Sequence, residues 1–297
     1  MIVLFLAGAP VSNILGAPVS GFILDHVHWL AIASWRWLLI LEGLPAIVCG
    51  VVTYFLLPSR PMEATFLTVQ EKDWIATALV QEKRHKLGED KLSALRTLAH
   101  RRVWHLACIS FTFQIGQQAI HFWMPQAAKS LSYLYSNTEV GVLLMIPNLA
   151  GLVAMILVSR CSDRKLERRY HSAIPLLVGG IALVLLGTTN SPLLSITFWS
   201  LAAIGGYGFM GPFWSLPSDS LTGTSAASGI ALINSIGSLG GFMGPSLVGA
   251  VANGPGGIYR GLAIAGLSFF VSASVALMLP RCAVAEAMSA ASNEPSG

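Results

Sequence analysis

The sequence predicts an all-α integral membrane protein, and three observations carry that reading. Apolar residues make up 54% of the chain and charged residues only 11%, against a charged share of about 25% in soluble domains. Those apolar residues gather into eight runs, each able to cross a bilayer, for which about 20 residues suffice. The stretch from Gly205 to Gly249 then indicates how such helices would be used. It holds two spans, the first broken by Pro212 and Pro217, the second carrying Gly229, Gly237 and Gly241 at multiples of four with Gly240 and Gly244 beside them. Proline breaks are tolerated at membrane depth where neighbouring helices or a wet cavity satisfy the freed backbone groups. Small residues at four-residue spacing let helices approach and slide. Helices moving around a polar cavity are the expectation.

The eight spans are expected near residues 1–24, 37–57, 103–128, 140–159, 172–189, 193–218, 226–252 and 261–280. Placing the start of the first span in the cytoplasm puts 15 of the 18 Lys and Arg residues on the inner side, leaving Arg36, Lys129 and Arg260 outside. The positive-inside rule therefore sets both termini in the cytoplasm, at an inner or plasma membrane. A net charge of +4 with a pI near 9.0 follows from basic loops, not from a nucleic-acid-binding face. The four cysteines (Cys49, Cys108, Cys161 and Cys282) are scattered without CxxC spacing, which argues against a disulfide, a metal site or a bound cofactor.

In chain order, Met1 leads directly into apolar residues with no basic flank, so a bundle helix is favoured over a signal peptide. Glu42, about 8 Å inside the second span at 1.5 Å per residue, is either a proton carrier or a structural hydrogen-bonding group near the outer rim. Residues 58–102 form a linker. Within it Thr68 and Glu71 match a capping box opening a helix through about Lys86, with Trp74, Ile75, Ala78 and Leu79 as an apolar stripe along the membrane surface.

The third span carries the clearest polar stripe: Gln114, Gln117, Gln118 and His121, at i, i+3, i+4 and i+7, share one helix face. That face lines either a cavity or an interhelical contact, because four such groups facing lipid would be costly. After the fourth span, Ser159-Arg160-Cys161-Ser162-Asp163-Arg164-Lys165-Leu166-Glu167-Arg168 is a positive-inside anchor in which Asp163 can pair with a helix terminus or an arginine to latch the inner side. In spans six and seven, Trp214, Ser215, Ser218 and Asn234 are the groups best placed toward a cavity, with Ser238 on the Asn234 face; packing and interhelical hydrogen bonding are the alternatives. Gly16-Ala-Pro18-Val-Ser-Gly21 and Gly244-Pro245-Ser-Leu-Val-Gly249 form a weak repeat six spans apart, as two parallel six-helix halves would give.

The segments GAPVSGFIL, WRWLLILEGLPAI, LTVQEKDW, GPFWSLPS and GIALINSIGSLGGFMGP resemble the major facilitator superfamily, and within it the anion:cation symporters that include tartrate, phthalate and sugar-acid permeases. The resemblance covers almost the whole chain. The loop around Asp163, Arg164 and Arg168 looks like that superfamily's cytoplasmic gating motif, departing from it at Ser159 and Leu166, where glycine is common. The resemblance implies helices five to twelve of a twelve-helix carrier, lacking the first four. Residues 1–57 would then be the last two helices of the N-terminal bundle, 58–102 the cytoplasmic linker, 103–280 the C-terminal six-helix bundle and 281–297 a disordered tail. It further implies a substrate lining of Gln117, Gln118, Trp214, Ser215 and Asn234, joined by Asn13, with Gln114 and His121 from the same stripe.

The expected function is secondary transport of a small organic anion, with the proton as coupling ion, through rocking of two bundles about a midplane site. The expected partners are the lipid bilayer, the anion, and the first four helices if they are encoded separately; no nucleic acid is expected. A membrane enzyme is the first rival, yet HExxH, GxSxG, P-loop and paired intramembrane carboxylates are all absent from the sequence. A non-transporting integral scaffold is the second.

Overall fold

The computed structural model describes residues 2–58, 60–86, 100–131, 134–189, 191–220, 223–254 and 257–279. The expected tail at 281–297, Cys282 and the linker residues 87–99 lie outside the described residues. The helices are α1 (Ile2–Leu6), α2 (Gly8–His26), α3 (Ser34–Leu56), α4 (Val69–Lys86), α5 (Arg101–Leu131), α6 (Asn137–Lys165), α7 (Arg169–Leu186), α8 (Pro192–Ser220), α9 (Gly223–Ala252) and α10 (Gly257–Leu277). Among the described residues, seven helices are long and apolar enough to cross a membrane: α2, α3 and α6 to α10. The expected eighth, α5, has 31 residues and the length to cross, about 46 Å at 1.5 Å per residue. Its glutamines, histidines and terminal charges lower its hydropathy, and many of its residues are buried against the other helices.

Local chemistry sets the helix ends. Thr68 and Glu71 form the expected capping box: the Thr68 N–H donates to Glu71 Oε2 at 2.8 Å, and the Glu71 N–H to Thr68 Oγ1 at 3.4 Å. Those donors, the Thr68 N–H first and its hydroxyl second, hold the Glu71 carboxyl below its ordinary range. A second box opens α6, where Ser136 Oγ accepts from the Glu139 N–H at 3.1 Å and Glu139 Oε2 from the Ser136 N–H at 2.7 Å. On α4, Trp74 and Leu79 are exposed, so the apolar stripe is not covered by the rest of the protein.

Helices α5 to α10 pack around an aromatic core. Phe113 lies 4.4 Å from Phe209 and 5.8 Å from Phe269 between ring centres, and Phe209 stacks on Phe213 at 4.7 Å. Along the α5–α10 seam, His105 Nε2 meets the Val275 carbonyl at 2.8 Å, Ser272 Oγ donates to the Ile109 carbonyl at 3.0 Å, and the Tyr259 hydroxyl donates to the Ala127 carbonyl at 2.8 Å. Side-chain donors on backbone carbonyls satisfy polar groups where lipid offers none.

Glycine governs the closest approaches. In α8, a Cβ on Gly205 would overlap Gly179 of α7, one on Gly206 would overlap Gln117 of α5, and Tyr207 occupies the space left by Gly151 of α6. On α9, Gly240 and Gly244 sit against the Phe111 and Ile115 carbonyls of α5; on α2, Gly21 meets the Asn137 carbonyl of α6, while Gly141 of α6 meets the Ala17 carbonyl in return. The two GxPxxG-like repeat segments thus share a role, each pressing its backbone against another helix. At the head of this α2–α6 seam, Asp25 accepts from the Asn137 and Thr138 N–H groups at 3.2 and 2.7 Å and from both side chains at 2.6 and 2.7 Å, which caps α6 from another helix. By contrast α3, packed on α2, has no buried residue, and Ile47, Tyr54 and Phe55 are widely exposed. Such an apolar surface belongs in lipid or against further helices.

Gly141→Leu is expected to break the α2–α6 seam, because the neighbour it would strike is backbone. Over-packing of this kind costs about 1–3 kcal/mol or more. The checking measurement is the midpoint of thermal unfolding in detergent, which should fall for Gly141→Leu and stay within error for Gly50→Leu, where nothing approaches the glycine.

Candidate functional site

Four helices bring polar groups to one place. The Tyr207 hydroxyl, on α8, donates to Asn148 Oδ1 of α6 at 3.0 Å and accepts from Asn13 Nδ2 of α2 at 3.1 Å. Gln117 Nε2, on α5, lies 2.8 Å from His121 Nε2, within hydrogen-bond distance. His121 in turn lies 3.4 Å from the Tyr207 hydroxyl, with the two rings edge to face at 5.8 Å. These side chains line a partly open cavity of about 110 Å³ together with Ala17, Met124, Leu144 and Pro147. Gln117 Oε1 is buried there without a hydrogen-bond partner. The arrangement offers amide, imidazole and phenol groups with neither carboxylate nor cation on its wall, so it can exchange hydrogen bonds with hydroxyl and carboxylate oxygens of a guest.

The structure distributes the expected site residues unevenly. Asn13, Gln117 and His121 share the cavity. Gln114 and Gln118 do not: they turn to α9, where their side chains pack on Gly237 and Gly241. The single stripe read from the sequence therefore corrects to two faces, since residues 117 and 118 stand about 100° apart around a helix. Trp214 is half-buried and lies edge to face on Phe213 at 5.4 Å. Ser215 Oγ donates back to the Gly211 carbonyl at 3.1 Å, and Asn234 is exposed on α9 with its carbonyl accepting from Ser238 Oγ at 2.9 Å. None of these three lines the cavity. Asn148 and Tyr207 were not among the residues expected from the sequence. An isolated amide in the apolar run MIPNLAG, and a phenol flanked by glycines in GGYGFMG, were the available signals.

At the arginine-rich end of the bundle, Asp163 pairs with Arg168, whose guanidinium also donates to Ser162 Oγ at 3.1 Å; Ser162 Oγ donates to the Glu167 carbonyl at 2.6 Å. Arg164 is exposed and outside this network. Partial burial pushes the Glu167 carboxyl up, but the Tyr170 N–H, the His171 ring and N–H, and the His171 charge outweigh it and hold the group below its ordinary value. Both departures from the family motif carry a physical cost. Leu166 caps α6 with a left-handed backbone, φ +51°, a conformation that costs a non-glycine residue about 1–2 kcal/mol. Ser159 is buried with its hydroxyl unpartnered. At the other end, Ser20 Oγ donates to Glu42, so Glu42 has the structural hydrogen bond that was one of its two readings.

Leu166→Gly is expected to raise stability by about 1 kcal/mol through relief of that backbone strain, read as a higher thermal midpoint. A depressed carboxylate stabilises the fold above its ordinary pKa of about 4.3, and that contribution disappears as pH falls through the lower folded value. Wild-type stability should therefore fall as pH drops below about 4, and Glu167→Gln should flatten that slope in melts recorded across pH 3 to 6.

Comparison with known proteins gives these features a context. A model of the Major Facilitator Superfamily matches residues 1–245. An Agrobacterium vitis protein described as a tartrate transporter is 35% identical over 280 residues, covering 94% of this chain and 64% of its own length. The inner membrane transport protein RhmT of Escherichia coli is 36% identical over 244 residues, covering 82% of this chain and 56% of its own. The metabolite transport protein NicT of Pseudomonas putida is 30% identical over 283 residues, with coverages of 94% and 64%. The chain thus spans less than two thirds of the length of these relatives. In fold it is similar to a bacterial homologue of the human lysosomal transporter Spinster, solved inward-facing and unoccupied, with a TM-score of 0.53, 15% identity, and coverage of 90% of this chain and 60% of that one. The superfamily is one of transporters, which sets aside the membrane-enzyme reading. With a matching family model over most of its length and a multi-pass helical bundle of that fold, the chain belongs to the major facilitator superfamily.

Proposed function

We propose that the chain forms part of a secondary carrier of small organic anions that couples transport to protons and works by alternating access between two helix bundles. The observation that carries this reading is the neutral polar cavity where α2 meets α5, α6 and α8. Asn13, Gln117, Asn148 and Tyr207 would exchange hydrogen bonds with the anion's oxygens, and His121 is the group in the cavity suited to a proton near neutral pH. Trp214 and Ser215 would act from α8, Asn234 from α9, and Gln114 and Gln118 from the side of α5 that faces α9, while the Asp163–Arg168 pair would hold the inner side. The excess of arginine and lysine in alternate loops supports a reading with both termini in the cytoplasm, at an inner membrane. No cofactor is required beyond the proton, and the carrier would draw its remaining helices from a longer protein or a second chain. A non-transporting scaffold is the second reading, favoured by the unburied α3.

The test is uptake into proteoliposomes under an imposed pH gradient, using labelled tartrate, phthalate and sugar acids, with the chain alone and extended by the segment preceding it in a full-length relative. Gradient-driven uptake by either form, abolished by a protonophore, is the expected result. Tyr207→Phe should then cut it about tenfold, the cost of leaving Asn13 or Asn148 unpaired. Absence of uptake from both forms across the panel overturns the carrier and leaves the scaffold.

A further inference from the structure

A second, larger cavity adjoins the polar one. It occupies about 560 Å³ between α2 and α5 above α6, within the range of about 300–1,000 Å³ typical of small-molecule sites. Ala17, Pro125 and Leu144 line both spaces, so the two share a wall. The chemistry of the outer one differs. Its walls are mostly apolar, with Leu24, Val140 and Leu144 prominent, and its charged member is Lys129.

That ammonium is not neutralised. Lys129 Nζ donates to Asn137 Oδ1 at 2.6 Å, and no carboxylate among the described residues lies within salt-bridge distance of it. The acids on α2, on α3 and in the first turn of α6 are engaged elsewhere, Glu139 with the Ser136 N–H. Asp25 accepts from Asn137 and Thr138, so its charge is spent on the α6 N-terminus, and Glu42 accepts from Ser20. Asn137 thus links Asp25 to Lys129 through opposite ends of its amide, holding the lysine beside the cavity.

We infer that this cavity is a binding site for a carboxylate with an apolar, aromatic-sized body. Lys129 receives the carboxylate, and the Leu24, Val140 and Leu144 wall receives the body. A polyhydroxylated acid is disfavoured here, because hydroxyls pressed on that wall lose water without gaining partners. The inference rests on the organic-anion reading above and narrows the anion class.

The test measures binding, not transport. The purified chain in zwitterionic nanodiscs is titrated with 2-naphthoate, followed by its own fluorescence anisotropy, against 2-naphthylmethanol and tartrate. Saturable naphthoate binding is expected, at least about tenfold tighter than the alcohol, as a charge-assisted contact provides, and undisplaced by equimolar tartrate. Lys129→Gln should weaken naphthoate about tenfold and Lys129→Arg about threefold or less. Gln126→Trp, from an exposed position on the cavity wall, should block binding without disturbing the core. Equal affinity for naphthoate and the alcohol, or a Lys129→Gln variant that binds normally, overturns the inference. So does loss of the Lys129 effect when phosphatidylglycerol replaces the zwitterionic lipid, which would assign the ammonium to a lipid phosphate. Naphthoate binding without uptake of any acid would sink the carrier proposal alone; tartrate uptake without naphthoate binding would sink this one alone.

Discussion

Everything in the bundle depends on one short segment of α8, Gly205-Gly206-Tyr207-Gly208. Within a single turn it meets α7 at Gly179, α5 at Gln117 and α6 at Gly151. Bare backbone on two sides lets three helices close in, and the one large side chain left, Tyr207, projects into the space they share. Removing water from helix contacts yields little inside a bilayer, where tails are as apolar as the side chains. Close approach and hydrogen bonds must hold the bundle instead, and this segment supplies both. The polar cavity exists because the glycines draw α5 and α6 near enough for His121 and Asn148 to reach one phenol, with Gln117 joined to them through His121.

Much of this was legible in the sequence. Long apolar runs gave the spans, since a membrane helix satisfies its backbone within itself and its length is fixed by the hydrocarbon. The Thr68–Glu71 box set the start of α4 correctly, because capping is local chemistry. The site was less legible. Gln117 and His121 were visible as polar groups in a span, but their separation from Gln114 and Gln118 depends on which helices stand beside α5. Asp25 shows the limit most clearly: it caps a helix 112 residues away, and nothing near position 25 marks that partner. Tyr207 escaped notice because a tyrosine in an apolar helix ordinarily packs.

The arginine-rich loop shows a different relation between sequence and structure. Leu166 and Ser159, the two departures from the family motif, are the two positions there with a left-handed backbone and an orphaned hydroxyl. The Asp163–Arg168–Ser162 network holds the loop in a shape made for glycine. The motif's residues carry the interactions, and its glycines only make them inexpensive.

The α2–α6 seam carries a mechanical corollary. Where Gly21 meets the Asn137 carbonyl and Gly141 the Ala17 carbonyl, backbone touches backbone, with no side chain on either glycine to act as a tooth. A toothed contact must climb over itself to shift along its axis; a smooth one behaves as a bearing, resisting separation while permitting glide and pivot. Asp25 pins one end of that bearing to the start of α6, and the Asn13–Tyr207 hydrogen bond ties α2 to α8 further along, so glide along the seam would run only as far as those two ties stretch.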